Sequence, residues 1–312
     1  MKKFISTGLI LASIGGMHGA YAQSDELAQA LQTVRTNCGG ISATLNKMKT
    51  MAGINTAVTG VGTVSAGVAL GTGIAKSKTD DEYHKLLQEL ISDSMDGVSG
   101  DMDGMTEITL ASVKLTQESE EAKKKISDRL QELYEKSKKL GNIRTGTLAA
   151  ATATNIAGAA IAGTNTVDED FATKIGACAG SVKALANVKM IATVDGSAEP
   201  EQITQADKII SACGQFETVD LSSINKRATG AAVSSGIGAG LGLAGTITSA
   251  VANTDTTRAG DLQKEKNLNT AANVLAGGTT AASLTSTIFN ATQIAAIKRA
   301  STVADECEGA LK

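Results

Sequence analysis

The chain has 312 residues, a formal net charge of −3, 2% aromatic residues and no tryptophan. It therefore lacks the basic face and the aromatic stacking platform of a nucleic-acid binder. With 33 glycines and only 4 phenylalanines, it also lacks the large side chains of a conventional core.

The first 22 residues read as a secretory signal. Lys2 and Lys3 form a basic start, Phe4 to Ala12 an apolar run, and Ala20-Tyr21-Ala22 a small-x-small cleavage site. The compact form of the signal is bacterial, which places the processed chain in the periplasm, in the cell envelope or outside the cell.

Four long stretches then carry no charge and consist mainly of Ala, Gly, Thr and Ser: Thr50–Ala75, Thr145–Val167, Ala228–Thr254 and Asn267–Ile297. In the first, Gly53, Gly60 and Gly67 recur every seven residues, with Ile54, Val61 and Val68 one position later. That is a helical period, and strand alternation is absent. In the third, Gly236, Gly238, Gly240, Gly242 and Gly245 include two GxxxG pairs, which let helix backbones approach closely. Each glycine costs about 1 kcal/mol relative to Ala in an isolated helix, so these helices need close partners. All eight glycines are expected to serve helix packing.

Between the first two stretches, residues 77–141 read as an antiparallel coiled-coil arm. Tyr83, Leu87 and Leu90 lie on the outward strand, and Ile108, Leu115, Ala122, Ile126, Leu133 and Leu140 on the return. Its turn falls near Met95–Gly104. Asp168–Thr193 and Gln202–Ala212 read as shorter helices joined by a connection holding the only proline, Pro200. Residues 23–180 and 201–312 then form two copies of one helical-hairpin unit, joined through 181–200. The matching order of features supports the duplication, as do the paired Leu45-Asn46-Lys47 and Ile224-Asn225-Lys226.

Four cysteines bracket the uncharged stretches, and an even count in an exported chain favours disulfides. Pairing within each copy gives Cys38–Cys178 and Cys213–Cys307; exchange gives Cys38–Cys307 and Cys178–Cys213. The first is favoured. A zinc site is disfavoured, because there is no CxxC spacing and His84 is the only histidine after the signal.

Other candidate sites are weak. Gly240-Leu-Gly242-Leu-Ala-Gly245 spells a dinucleotide fingerprint but sits inside a helical pattern with no strand before it. Asp96, Asp101 and Asp103 cluster with glycines at the arm tip, where carboxylates can hold calcium, yet the EF-hand order fails. A solvated turn is the expected reading. His84 follows Asp80, Asp81 and Glu82 on the arm and reads as a lone surface histidine. No catalytic constellation, cofactor motif or small-molecule substrate site is visible.

Water and membrane compete for the uncharged stretches. Each exceeds the roughly 20 residues that span a bilayer. The second and fourth are rich in Thr and Asn and are poor candidates to insert unaided, whereas the first and third are better ones. The expectation is an all-α, elongated bundle of two tandem long-helix hairpin units with Gly/Ala-rich close packing, the first extended by the arm. Its expected role is non-enzymatic: a structural or protein-interaction part in a bacterial envelope, through a protein partner or self-association. The alternative is a membrane-active or membrane-anchored protein, pore-forming-like, inserting 50–75 and 228–254.

Overall fold

The computed structural model describes residues 20–96, 108–254 and 262–312. The basic start and apolar run of the signal lie outside the described residues, as do Asp101, Asp103 and most of the expected arm turn. The described residues are helical with no strand: α1 (Ala20–Cys38), α2 (Ile41–Asp96), α3 (Ile108–Thr164), α4 (Glu169–Val194), α5 (Pro200–Cys213), a 3-10 turn (Gly214–Thr218), α6 (Leu221–Ala252) and α7 (Leu262–Leu311). The fold is an all-α helical bundle. Short polar caps set its boundaries. Asp168 accepts from Phe171 N at 2.7 Å to start α4, and Pro200 opens α5, where its missing N–H costs nothing.

The chain forms two compact units, each drawing on both halves of the sequence. The first comprises residues 20–46, Asp168–Val219 and Lys298–Lys312. Its core is conventional, with Leu27, Leu31, Val34, Ile41, Leu45, Phe171, Ile175, Val182, Leu185, Ile209 and Phe216 all buried. Two disulfides cross it, Cys38–Cys178 and Cys213–Cys307, so the within-copy pairing is the one formed. Gly40 turns the chain between α1 and α2 at φ 78°, a left-handed value that glycine adopts without strain. The Glu308 carboxylate then accepts from Gly40 N (3.0 Å) and Ser42 N (3.2 Å), supplying an anion to the start of α2.

The second unit comprises Lys47–Val167 and Asp220–Ile297. It holds all four uncharged stretches, one on each of α2, α3, α6 and α7, packed antiparallel to their chain neighbours. The buried positions step by alternating threes and fours: Ala52, Asn55, Thr59, Gly62, Ala66, Ala69 and Gly73 on α2, and Ala228, Ala231, Ser235, Gly238, Gly242, Gly245, Ser249 and Ala252 on α6. This is a 3.5-residue period, the signature of left-handed coiled packing. The seam is unusual in what it contains, being almost wholly Ala, Gly, Ser, Thr and Asn. Beyond the stretches, α2 and α3 continue as the paired helices of the arm. Arg129 there bonds Glu82 at 2.7 Å, and the rings of Tyr83 and Tyr134 lie 6.5 Å apart.

Candidate functional site

In the second unit, the usual distribution of side chains is inverted. Among its described residues, fifteen large apolar side chains are exposed, including Val64 at 68%, Ile156 at 58%, Ile237 at 55% and Val274 at 69%. Among the described residues of the first unit, three are: Met190, Ile191 and Val194. On α2 this outer belt runs from Ile54 to Ile74, about 30 Å at 1.5 Å per residue; on α6 it runs from Val233 to Val251, about 27 Å. Both match the hydrocarbon thickness of a bilayer, about 30 Å. Three stretches, Glu26–Glu89, Lys124–Val194 and Leu221–Ala252, are long and apolar enough to cross a membrane, and only 28%, 33% and 28% of their most apolar windows is buried.

Polar groups occupy the inside. Asn55 Nδ2 donates to Asn290 Oδ1 (2.8 Å), Asn155 Nδ2 to Ser283 Oγ (2.8 Å), and Ser235 and Ser286 share a 2.7 Å bond. At the far end Gln293 Nε2 donates to Asn165 O (2.9 Å) and Asn165 Nδ2 to Met48 O (3.0 Å). The threonines that face outward return their hydroxyls to their own helix. Thr270 donates to Lys266 O and Thr285 to Ala281 O, both at 2.9 Å. Such back-bonding leaves few unsatisfied polar atoms on the outer surface.

At the arm end of this seam lies a buried cluster of charge. Lys76, fully buried, reaches Asp80 at 2.6 Å and Glu265 at 3.1 Å. Asp80 also accepts from Ser137 and, at 3.0 Å, from Asn269 Nδ2. Arg144, equally buried, donates to Ser249 Oγ (2.7 Å), Asn269 Oδ1 (2.9 Å) and Asn273 Oδ1 (3.3 Å). A cleft of about 200 Å³ opens beside the cluster, lined by Ser77, Asp81, His84, Glu265 and Asn269 among others. His84 is mostly covered here, its Nε2 3.8 Å from Glu265 Oε2. Sequence reading placed it at the surface, because nothing in its neighbourhood announces the approach of α7. The cluster itself escaped sequence reading for the same reason. Its only local signal is that Lys76 and Arg144 are the first charges flanking two uncharged stretches.

The eight packing glycines divide by face. A methyl group on Gly238 would lie 2.8 Å from Asn155 Nδ2, one on Gly242 2.5 Å from Thr152 Oγ1, and one on Gly245 3.2 Å from Leu275 Cβ. Gly53, Gly60, Gly67, Gly236 and Gly240 have nothing within 4 Å. They share the seven-residue period of the seam but sit on the outer face. The fingerprint-like Gly240–Gly245 lies inside α6. Asp96 ends α2, while its partners in the calcium reading lie outside the described residues. The four cysteines come together in the first unit, with the sulfurs of Cys38, Cys178 and Cys307 within 4.8 Å of one another. As disulfides they have no free thiolate for a metal.

Two shifted groups lie on the exposed parts of the chain. At the α6 cap, bonds from the Ser222 hydroxyl and Ser223 N–H hold the Asp220 carboxyl below its ordinary range. On the arm, Glu82 and Glu132, each 2.7 Å away, raise Arg129 above its ordinary value. The chain matches no protein-family model, no curated protein and no solved structure.

Proposed function

We propose that this chain is an exported bacterial envelope protein anchored in a bilayer by its second unit, whose role is structural or interactive and not enzymatic. The disulfide-tied first unit and the charged arm are its contact surfaces for a protein partner. One contrast carries the reading. Within a single chain, the first unit buries its large apolar residues and the second turns them outward. In water, leaving fifteen Val, Ile and Leu side chains about half exposed forgoes about 1 kcal/mol each, of order 15 kcal/mol, more than the whole stability of most domains. In lipid the same belt is favourable by about 0.3–0.6 kcal/mol per residue.

The Thr and Asn content of the second and fourth stretches is no longer an obstacle. Asn155, Asn269, Asn290 and Gln293 face the seam, and polar residues inside a membrane bundle face one another in this way. All four stretches, not the first and third alone, then cross. If each crosses once, the segments bearing the cysteines emerge on one side and the arm on the other. Disulfides place the cysteine side in the oxidising compartment. Membrane fractionation tests the reading: the protein is expected to pellet with membranes through alkaline carbonate, and release by osmotic shock would overturn it.

A further inference from the structure

We propose that the end of the second unit remote from the arm carries a ring of cations that binds the phosphates of anionic phospholipids. The proposal rests on the bilayer reading above and adds to it a lipid class and a side of the membrane. Three observations lead to it.

First, hydrogen bonds gather four basic residues of α2 and α6 at one level. Asn165 Nδ2 donates to Met48 O (3.0 Å) and Gln293 Nε2 to Asn165 O (2.9 Å). Two residues on, Val167 N donates to Asn225 Oδ1 (2.6 Å), and Asn225 Nδ2 donates back to Val167 O (3.0 Å). Met48 lies between Lys47 and Lys49, and Asn225 is followed by Lys226 and Arg227. Lys47 and Lys226 are exposed, and Lys49 and Arg227 half-buried.

Second, these cations have no carboxylate partners. Among the described residues none of the four forms an ion pair. α2 has no Asp or Glu before Asp80, and α6 has none. The nearby acids serve helix starts: Asp220 caps α6, Asp168 caps α4, and Glu169 and Asp170 lie in its first turn. The arm end differs. Lys76 there is held between Asp80 and Glu265, and Lys78 is followed by Asp80, Asp81 and Glu82.

Third, the depth fits. The outer belt begins at Ile54 on α2 and at Val233 on α6. At 1.5 Å per residue, Lys49 and Arg227 stand about 8–9 Å outside it, and Lys47 and Lys226 about 10–11 Å. The headgroup layer extends about 5–8 Å beyond the hydrocarbon on each side. Lys and Arg heads on long apolar stems reach that level from these positions. Arg227 is already fixed by one bond, Nη1 to Thr292 O at 2.6 Å, and its other N–H groups match the fork of a phosphate.

The test uses the full chain in phosphatidylcholine vesicles doped with spin-labelled phosphatidylglycerol or spin-labelled phosphatidylcholine. Electron paramagnetic resonance gives the fraction of each label immobilised on the protein. A lipid beside one such cation should be favoured about fivefold, which averages to about twofold around the whole perimeter. Replacing Lys47, Lys49, Lys226 and Arg227 together with Gln should bring the preference to near parity, while Lys124→Gln with Lys125→Gln on the arm should leave it unchanged. A parent without preference, or a fourfold variant that keeps it, would overturn the ring and leave the anchor standing. Absence of immobilised lipid around the parent would overturn both. Should the fourfold variant fail to insert, Lys47→Gln with Lys226→Gln decides: a reduced preference supports the ring and an unchanged one overturns it.

Discussion

Gly240 and Gly242 are two residues apart on α6 and spell the same to any composition count, yet replacing each with alanine should have opposite effects. At Gly240 the added methyl meets nothing within 4 Å. The change then removes backbone freedom from the unfolded chain and stabilises by about 0.5–1 kcal/mol. At Gly242 the methyl would lie 2.5 Å from Thr152 Oγ1, with Thr279 Cγ2 at 3.4 Å and the Thr152 backbone at 3.5 Å. Thr152 is β-branched and already donates to Leu148 O at 2.8 Å, so it can withdraw only by breaking that bond or by pushing α3 outward. Overpacking of this kind costs about 1–3 kcal/mol. After the helix-propensity gain of about 1 kcal/mol is credited, Gly242→Ala should lose up to about 2 kcal/mol. Denaturant titration of the detergent-solubilised protein, followed by far-ultraviolet circular dichroism, measures both. Shifts of the same sign, or a stabilising Gly242→Ala, would refute the assignment of the inner face of α6.

Lys76→Met should destabilise the second unit by about 3–5 kcal/mol, because it leaves two buried carboxylates with no cation between them; adding Glu265→Gln should restore part of the loss, as a double-mutant cycle in the same titration will read. Cys38→Ser should lower the stability of the first unit by about 2–5 kcal/mol, since the bridge closes a separation of 140 residues, and non-reducing peptide mapping of the parent should recover Cys38–Cys178 and Cys213–Cys307. The Asp220 carboxyl, held low by Ser222 and Ser223, adds stability that is complete above the unfolded carboxylate value, near ~4. That stability is lost as pH falls through its lower folded value. Asp220→Asn should therefore flatten this acid limb of the α6 melting profile.

Much of the fold was legible. The uncharged stretches announced helices, and the order of the cysteines pointed to the pairing that forms. The expected helices Asp168–Thr193 and Gln202–Ala212 fall within two residues of α4 and α5, although Pro200, a residue of the expected connection, opens α5. What misled was the face. On α2 the outer set Gly53, Ile54, Gly60, Val61, Gly67 and Val68 repeats every seven residues, and so does the inner set Ala52, Asn55, Thr59, Gly62, Ala66 and Ala69. Periodicity cannot choose between two sets with one period. The choice is made by the surrounding solvent, and the habit of placing the larger apolar set inside selects the wrong one when the helices are arranged polar-in. The charge cluster was illegible for another reason. Lys76, Arg144 and Glu265 are brought together only by the antiparallel return of α3 and α7, over separations that no local motif spans. His84 followed them out of view.

The central claim is that the belt of the second unit faces lipid and its seam does not. Nitroxide labels at Val64, Ile237 and Val274, with a fourth at Glu121 on the exposed arm, can be read by electron paramagnetic resonance in proteoliposomes with two relaxing agents. Dissolved oxygen concentrates in hydrocarbon, and a charged nickel chelate stays in water. The account predicts that the three belt labels relax with oxygen and ignore the chelate, while the arm label does the reverse. Belt labels that respond to the chelate as strongly as Glu121 would contradict it.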